Sequence, residues 1–313
     1  MSDGIELKAL RGRNPRGLFA ALGALDVATR CLPGEEERPT LRWSESIEPS
    51  AILTGPRDLD HLIALCDRDR ARWMDSPIFE WRPDGKPLED LKPRAETELP
   101  EWISAVMSVD DRADVDLLSG LVSEGAKAKN GDAKPTHFHF TAGNQKFLRM
   151  VRRMRSEIGP EDLREALEGQ WRYESELSSL GWDSSGEKLH AYRANAPTKE
   201  TAPSGVPGAD WLGFLGLRFF PVVTVREQAV TTGCERSWKR GAFIWPLWNV
   251  GLTADVVRTL LGRGDLAEMS SHDRLALGVH QLLRSPIRRT DQGGYGSFGA
   301  PDLLVSKETH RVR

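Results

Sequence analysis

Residues 136–155, Thr-His-Phe-His-Phe-Thr-Ala-Gly-Asn-Gln-Lys-Phe-Leu-Arg-Met-Val-Arg-Arg-Met-Arg, carry the densest set of chemically capable side chains in the chain. Two chemistries are open to them. His137 and His139, two apart, could ligate a metal or move protons. Lys146, Arg149, Arg152, Arg153 and Arg155 could hold a phosphate backbone. The alternation Thr136–Phe140 predicts a half-buried strand with both imidazoles on one face. Thr141 suits a helix N-cap, Ala142 and Gly143 leave room for close approach, and a helix is expected from about Asn144. On it Phe147, Val151, Met154 and Ile158 fall on one apolar stripe, with Leu148 beside them. A helix N-terminus offers unpaired N–H groups and partial positive charge to an anion, and the row of arginines extends that invitation. Thr141, Asn144, Lys146, Arg149, Arg152 and Arg153 are therefore candidate nucleic-acid contacts. No Asp, Glu, Cys or His close in sequence completes a metal set around His137 and His139, so no metal and no cofactor is expected.

A second basic loop, Arg11-Gly-Arg-Asn-Pro-Arg-Gly17, also leads a strand into a helix. Arg11, Arg13 and Arg16 around two glycines could cradle phosphate. The loop lacks the Lys-Ser/Thr ending of a P-loop, which argues against nucleotide triphosphate hydrolysis. Among the ten tryptophans, Trp211, Trp238, Trp245 and Trp248 fall late in the chain. Trp245 and Trp248, inside Phe243-Ile-Trp-Pro-Leu-Trp248, are expected in the core. Trp238, followed by Lys239 and Arg240, suits a surface hairpin tip whose ring could stack on a base. Cys234 has no histidine near it in sequence to make it a nucleophile. HExxH, GxSxG and GxGxxG are all absent, and Asp110, Asp111, Asp114 and Asp116 read as an exposed acidic helix segment.

The elements that must position these residues follow from periodicity. Strands are expected at Glu6–Leu10, Leu41–Ser44, Ala51–Thr54, Ile78–Trp81, Leu189–Ala194, Phe219–Arg226 and Ala242–Pro246. Helices are expected at 18–31, Asp58–Trp73, about 99–123, from Pro160 towards Glu168, Ala209–Leu215, Thr253–Leu261 and about Ser271–Leu283. Ser123–Pro135 and Asn195–Gly208 read as loops or mobile linkers. Helices and strands show neither strict βαβ alternation nor an internal repeat. The fold class is α+β, with a mixed, largely antiparallel sheet or sheets flanked by helices. An N-terminal α+β region, 1–125, and a C-terminal α+β region, 136–313, carrying the basic helix and the Trp-rich part, form two domains or one continuous domain.

The 313 residues carry a net charge of −3, which excludes a polycation that binds nucleic acid through its overall charge. Basic clusters at Lys8–Arg16, Lys146–Arg155 and Arg284–Arg289 are set against acidic Glu35–Glu37 and Glu96–Asp116, a segregation that suits one nucleic-acid-facing side. It equally fits ordinary solvated faces. Cys31, Cys66 and Cys234 lie far apart without a CxxC spacing, as expected of a reducing cytoplasm. The first residues lack a basic and then apolar leader, and no apolar run approaches the ~20 residues of a membrane span. A cytoplasmic protein is expected.

Four stretches, in order, resemble a known family. They are Leu10-Arg-Gly-Arg-Asn-Pro-Arg-Gly-Leu-Phe-Ala-Ala-Leu-Gly-Ala-Leu25, then His139-Phe-Thr-Ala-Gly-Asn-Gln-Lys-Phe-Leu148. Leu180-Gly-Trp-Asp183 with Ala191-Tyr-Arg-Ala194 is the third, and Trp211-Leu-Gly-Phe-Leu-Gly-Leu-Arg-Phe-Phe-Pro221 with Phe243–Trp248 the fourth. This order is similar to that in accessory and effector-subunit proteins of type I-U (also called I-G) CRISPR loci, and it covers residue 5 to about 260. The resemblance implies a non-catalytic, nucleic-acid-binding subunit of an RNA-guided antiviral effector complex. Its partners would be guide RNA or target DNA, contacted along the backbone, and the other effector subunits, with no membrane. In such complexes base pairing reads the sequence while protein holds the backbone. Two alternatives stay open: an RNA- or DNA-cleaving enzyme using His137 and His139 with Lys146 stabilising charge, and a purely structural subunit binding protein through its Trp-rich half.

Overall fold

A computed structural model describes residues 4–34, 38–184, 204–289 and 295–305. The fold is mixed α+β, with several small antiparallel sheets packed against helices. At its centre lies helix α1 (Pro15–Cys31), buried from Pro15 through Ala28. Asn14 starts it, its side chain accepting the Arg16 amide at 3.0 Å, and Pro15 occupies the first turn, where a missing N–H costs nothing. Small residues then let a second buried helix approach closely. At Gly23 an added Cβ would stand 1.9 Å from the Leu212 carbonyl oxygen of Pro207–Gly216. The charges of α1 are matched in place: Asp26 pairs with Arg30 at 2.8 Å and with Arg218.

Strand β1 (Ile5–Arg11) precedes α1, and β2 (Leu41–Trp43) and β3 (Ser50–Leu53) follow, forming an antiparallel sheet of order β1-β3-β2. Helices α2 (Leu59–Arg72), α3 (Pro77–Glu80), α4 (Glu98–Met107) and α5 (Arg112–Ser119) lead to the hairpin β4 (Val122–Lys127) and β5 (Ala133–Pro135). After α6 (Phe147–Glu157) and α7 (Pro160–Leu167) come β6 (Ser175–Ser178) and its partner β7 (Ser204–Gly205). Helix α8 is Pro207–Gly216. The hairpin β8 (Val222–Val225) and β9 (Gln228–Thr231) follows, then β10 (Ala242–Trp248), α9 (Ala254–Leu261) and α10 (Ser271–Ala276). Strand β11 (Val279–Arg289) pairs with β10, β12 (Gly296–Phe298) and β13 (Asp302–Leu303), each time antiparallel. Most of the buried apolar residues between Leu7 and Phe298 form one hydrophobic cluster, with Ala126, Val222 and Ala229 a small second one.

Several elements depart from the sequence pattern. Ile78–Trp81 is no strand: Pro77–Glu80 is a helical turn capped by Ser76 Oγ, which accepts the Ile78 amide at 3.2 Å. The expected helix over about 99–123 is two helices, parted at Asp110 with φ +53° and restarted by Asp111. Its acids are not an exposed patch, since Asp114 is buried and Asp116 accepts from Arg112, Arg218 and Arg258 at 2.7–3.1 Å. Ser123–Pro135 is a hairpin rather than a linker, because Ala126 buries against Val222 and Ala229. Within Ser271–Leu283 the helix stops at Ala276, Gly278 turns the chain at φ +76°, and a strand begins. Leu189–Ala194, including the Ala191–Ala194 motif, and most of Asn195–Gly208 lie outside the described residues; Ser204–Gly205 and the start of α8 occupy the end of the second segment.

Candidate nucleic-acid interface

The segment Thr136–Phe140 forms no strand. All five side chains are buried, so there is no solvent face for the alternation to separate. Its backbone polar groups nevertheless find partners, as buried ones must. The Thr136 amide donates to the Leu121 carbonyl at 2.8 Å and the His137 amide to Thr231 Oγ1 at 2.8 Å. In the other direction Arg289 Nη2 donates to the His137 carbonyl at 2.7 Å and Arg289 Nη1 to the His139 carbonyl at 2.9 Å. Trp182 Nε1 donates to the Phe138 carbonyl and the Gly296 amide to that of Phe140, at 2.8 and 3.0 Å. Arg289 thus does the work of a neighbouring strand.

The two histidines face different partners. His139 Nε2 lies 2.7 Å from Asp90 Oδ1 and 3.2 Å from Thr141 Oγ1. Burial pushes the imidazole down despite Asp90. Burial would raise Asp90, but His139, Lys92 and the Phe147 amide outweigh it and hold the carboxyl below its usual value. His137 Nδ1 lies 3.1 Å from Thr231 Oγ1, while its buried Nε2 has no partner among the described residues. Burial, reinforced by the charge of Arg289, lowers His137 to about 4. Both residues are buried, each 1% exposed. The shared face expected for them is absent because the extended strand is absent. Among the described residues no group of His, Cys, Asp and Glu is arranged to hold a metal.

Helix α6 begins at Phe147 rather than near Asn144, and Thr141, buried against His139, does not cap it. Asp90 takes that place, accepting the Phe147 amide at 3.3 Å, so a carboxylate of the chain already occupies the anion-favouring end. The apolar stripe lies as expected, with Phe147, Leu148, Val151, Met154 and Ile158 all buried. Its cations are engaged. Arg149 is exposed, pairing with Glu89 at 3.4 Å and donating to the Asn144 carbonyl at 2.5 Å. Half-buried Arg152 donates to the Phe79 and Leu88 carbonyls at 3.0 and 2.8 Å. Exposed Arg153 pairs with Glu157 at 2.9 Å, and buried Arg155 with Glu80 at 3.2 Å. Asn144 is exposed and Lys146 half-buried, with no side-chain partner among the described residues.

The first basic loop separates its arginines. Arg16 is buried, 3.1 Å from Asp210 and 3.6 Å from Asp183, with Nη2 donating to Ser179 Oγ at 2.5 Å. Burial works against its charge, but Asp210 and Asp183 outweigh that and raise it above its ordinary value. Trp171 and Tyr173 lie 5.5 and 5.8 Å from the guanidinium. Arg16 therefore joins α1 to the segment around Asp183 and to α8, out of reach of a surface phosphate. Exposed Arg11 donates to the Glu48 carbonyl at 3.2 Å, and half-buried Arg13 to Gln281 Oε1 at 3.2 Å. Both partners are neutral. Gly12 pins the loop between them, accepting from Trp245 Nε1 at 2.9 Å and donating to Pro49 at 2.7 Å.

No protein-family model and no curated protein matches this chain. The remaining sequence candidates, Trp238, Lys239 and Arg240, lie in the connection from β9 to β10. Trp211, Trp245 and Trp248 are fully buried, whereas Trp238 is half-buried and Lys239 and Arg240 are exposed. The only acid between Cys234 and Gly241, Glu235, is taken by Arg284 at 3.0 Å. That leaves Arg236, Lys239 and Arg240, all exposed, as the charge of the tip. The Arg289 guanidinium stacks 3.8 Å from the Trp238 ring centroid, and its Nε donates to the Trp238 carbonyl at 3.2 Å. The His137 ring meets the indole at 5.3 Å, tilted by 56°. Cys234 is half-buried, and burial pushes its thiol well above the usual value, against a nucleophilic role. Arg289 is the residue missed from sequence. It belongs to the basic cluster Arg284–Arg289, but only the strand Val279–Arg289, which begins inside the helix expected over about Ser271–Leu283 and runs past it, carries it to Trp238.

Proposed function

We propose that this protein is a non-catalytic nucleic-acid-binding subunit of a type I-U CRISPR effector complex, contacting the backbone of guide RNA or target DNA in the cytoplasm. The observation that carries the binding is the tip at 236–240, where three exposed cations neighbour a braced tryptophan in sequence and the one acid between Cys234 and Gly241 is paired with Arg284. Arg11 and Arg13, held by neutral partners on a pinned loop, supply a second cationic place. Phosphate is the ligand that such sites favour. The effector context rests on the resemblance of the four ordered motifs. Cleavage by His137 and His139 finds little support, since neither buried ring can reach a substrate phosphate.

Binding of a fluorescently labelled single strand across a salt series tests this reading. Each phosphate contact contributes about 0.7 to the slope of log affinity against log salt for single strands. Removing two contacts in Lys239→Ala/Arg240→Ala should lower the slope by about 1.4. A protein that binds neither strand nor duplex at low salt, or a double variant with an unchanged slope, would defeat the assignment. Co-purification with effector subunits and guide RNA, and its loss in the same variant, tests the context.

A further inference from the structure

We infer that Trp238 is a base-stacking platform, so that the tip takes single-stranded nucleic acid with its bases unpaired rather than a duplex. The inference rests on the nucleic-acid reading above and names its substrate class. Three observations carry it. First, ring and cation are already assembled: the Arg289 guanidinium lies against the indole at 3.8 Å, and its three nitrogens are fixed by the carbonyls of His137, His139 and Trp238. A tryptophan fixed in this way has little rotamer freedom left to lose on binding. Second, Trp238 is only half-buried, whereas three other late tryptophans, Trp211, Trp245 and Trp248, are fully buried. The indole nitrogens of Trp245 and Trp248 are tied to the carbonyls of Gly12 and Leu41. Third, Arg236, Lys239 and Arg240, all exposed, flank Trp238 in sequence and supply cations for the phosphates of a strand held there.

A duplex cannot use such a ring, because its base faces are already stacked on one another. A single strand presents a free face at every nucleotide, and stacking tolerates any base. His137 meets the indole beside Arg289 and stays neutral, so it adds no charge to the platform.

The test uses the full chain with four labelled probes of equal length: a thymidine strand, an abasic strand with the same phosphates, a uridine strand and a duplex. The wild type should bind the thymidine strand more tightly than the abasic strand and the duplex. Trp238→Ala should lose roughly tenfold on the thymidine strand, the scale of one stacked base, and little on the abasic strand. Trp238→Phe should restore most of that loss. The uridine probe distinguishes RNA from DNA as the source of the strand. Equal wild-type affinity for thymidine and abasic strands, preference for the duplex, or an unaltered Trp238→Ala would overturn stacking while leaving backbone binding intact. Failure to bind any probe would remove the function and this inference together.

Discussion

At the scale of single residues, partners decide role more than type does. Arg11 ends β1 and Arg16 lies in the first turn of α1, yet one meets solvent and the other closes a buried ion pair. His137 shows the energetic side. Its folded pKa, about 4, lies below the ordinary histidine value of 6.5, so the unfolded chain takes up a proton before the folded one does. Stability is therefore complete above about pH 6.5 and is lost as pH falls towards 4, by roughly 3 kcal/mol for this group at full protonation. Replacing His137 with Asn keeps a polar atom for Thr231 and removes the titration. Urea unfolding between about pH 7 and pH 4.5 should give a shallower pH dependence for the variant. Asp114 and Asp210, raised by burial, act in the opposite sense in acid, so the wild-type-minus-variant difference isolates the imidazole. Identical pH dependences would rule the imidazole out. Sequence displayed the unusual density of Arg and His here but not their pairing, because Asp90, Thr231 and Arg289 are far away along the chain.

At the scale of elements, apolar periodicity was legible where one face meets the core, as in the stripe of α6 and in α2 and α7. It misled where a segment is buried all round. Thr136–Phe140 alternates as a strand would, yet Arg289, Trp182 and Thr231 satisfy its backbone in place of a ladder. Short helical turns that depend on a cap or a local proline, such as Pro77–Glu80, escape a period-two reading. The contact of α1 with α8 gives the sharpest test. Helix propensity alone favours Ala over Gly by about 1 kcal/mol inside a helix. Packing reverses the sign at Gly23, where the new methyl would meet the Leu212 carbonyl oxygen at 1.9 Å. Gly23→Ala should destabilise by about 1–3 kcal/mol or more, read as a lowered denaturation midpoint with an unchanged slope. A midpoint that rises would mean that the helices can part without cost.

At the scale of the whole molecule, a net charge of −3 makes the distribution of unneutralised cations the deciding quantity. The basic helix α6 looked the stronger phosphate surface in sequence, but the folded chain sets carboxylates against it. Glu89 faces Arg149, Glu157 faces Arg153, and Asp90 sits at the helix start. A phosphate arriving there must displace an acid that remains nearby and repels it, so the net gain per arginine is small. Arg11 and Arg13 release only a carbonyl and an amide oxygen, neither of them charged. Arg11→Ala/Arg13→Ala should therefore lower the salt slope of single-strand binding by about 1.4, and Arg149→Ala/Arg153→Ala by less than half of that. Both double variants remove two positive charges, so a non-specific effect of net charge would lower the slopes equally. An equal drop would mean that the slope follows net charge rather than which cations stand unneutralised, and would overturn the distinction between the loop and α6.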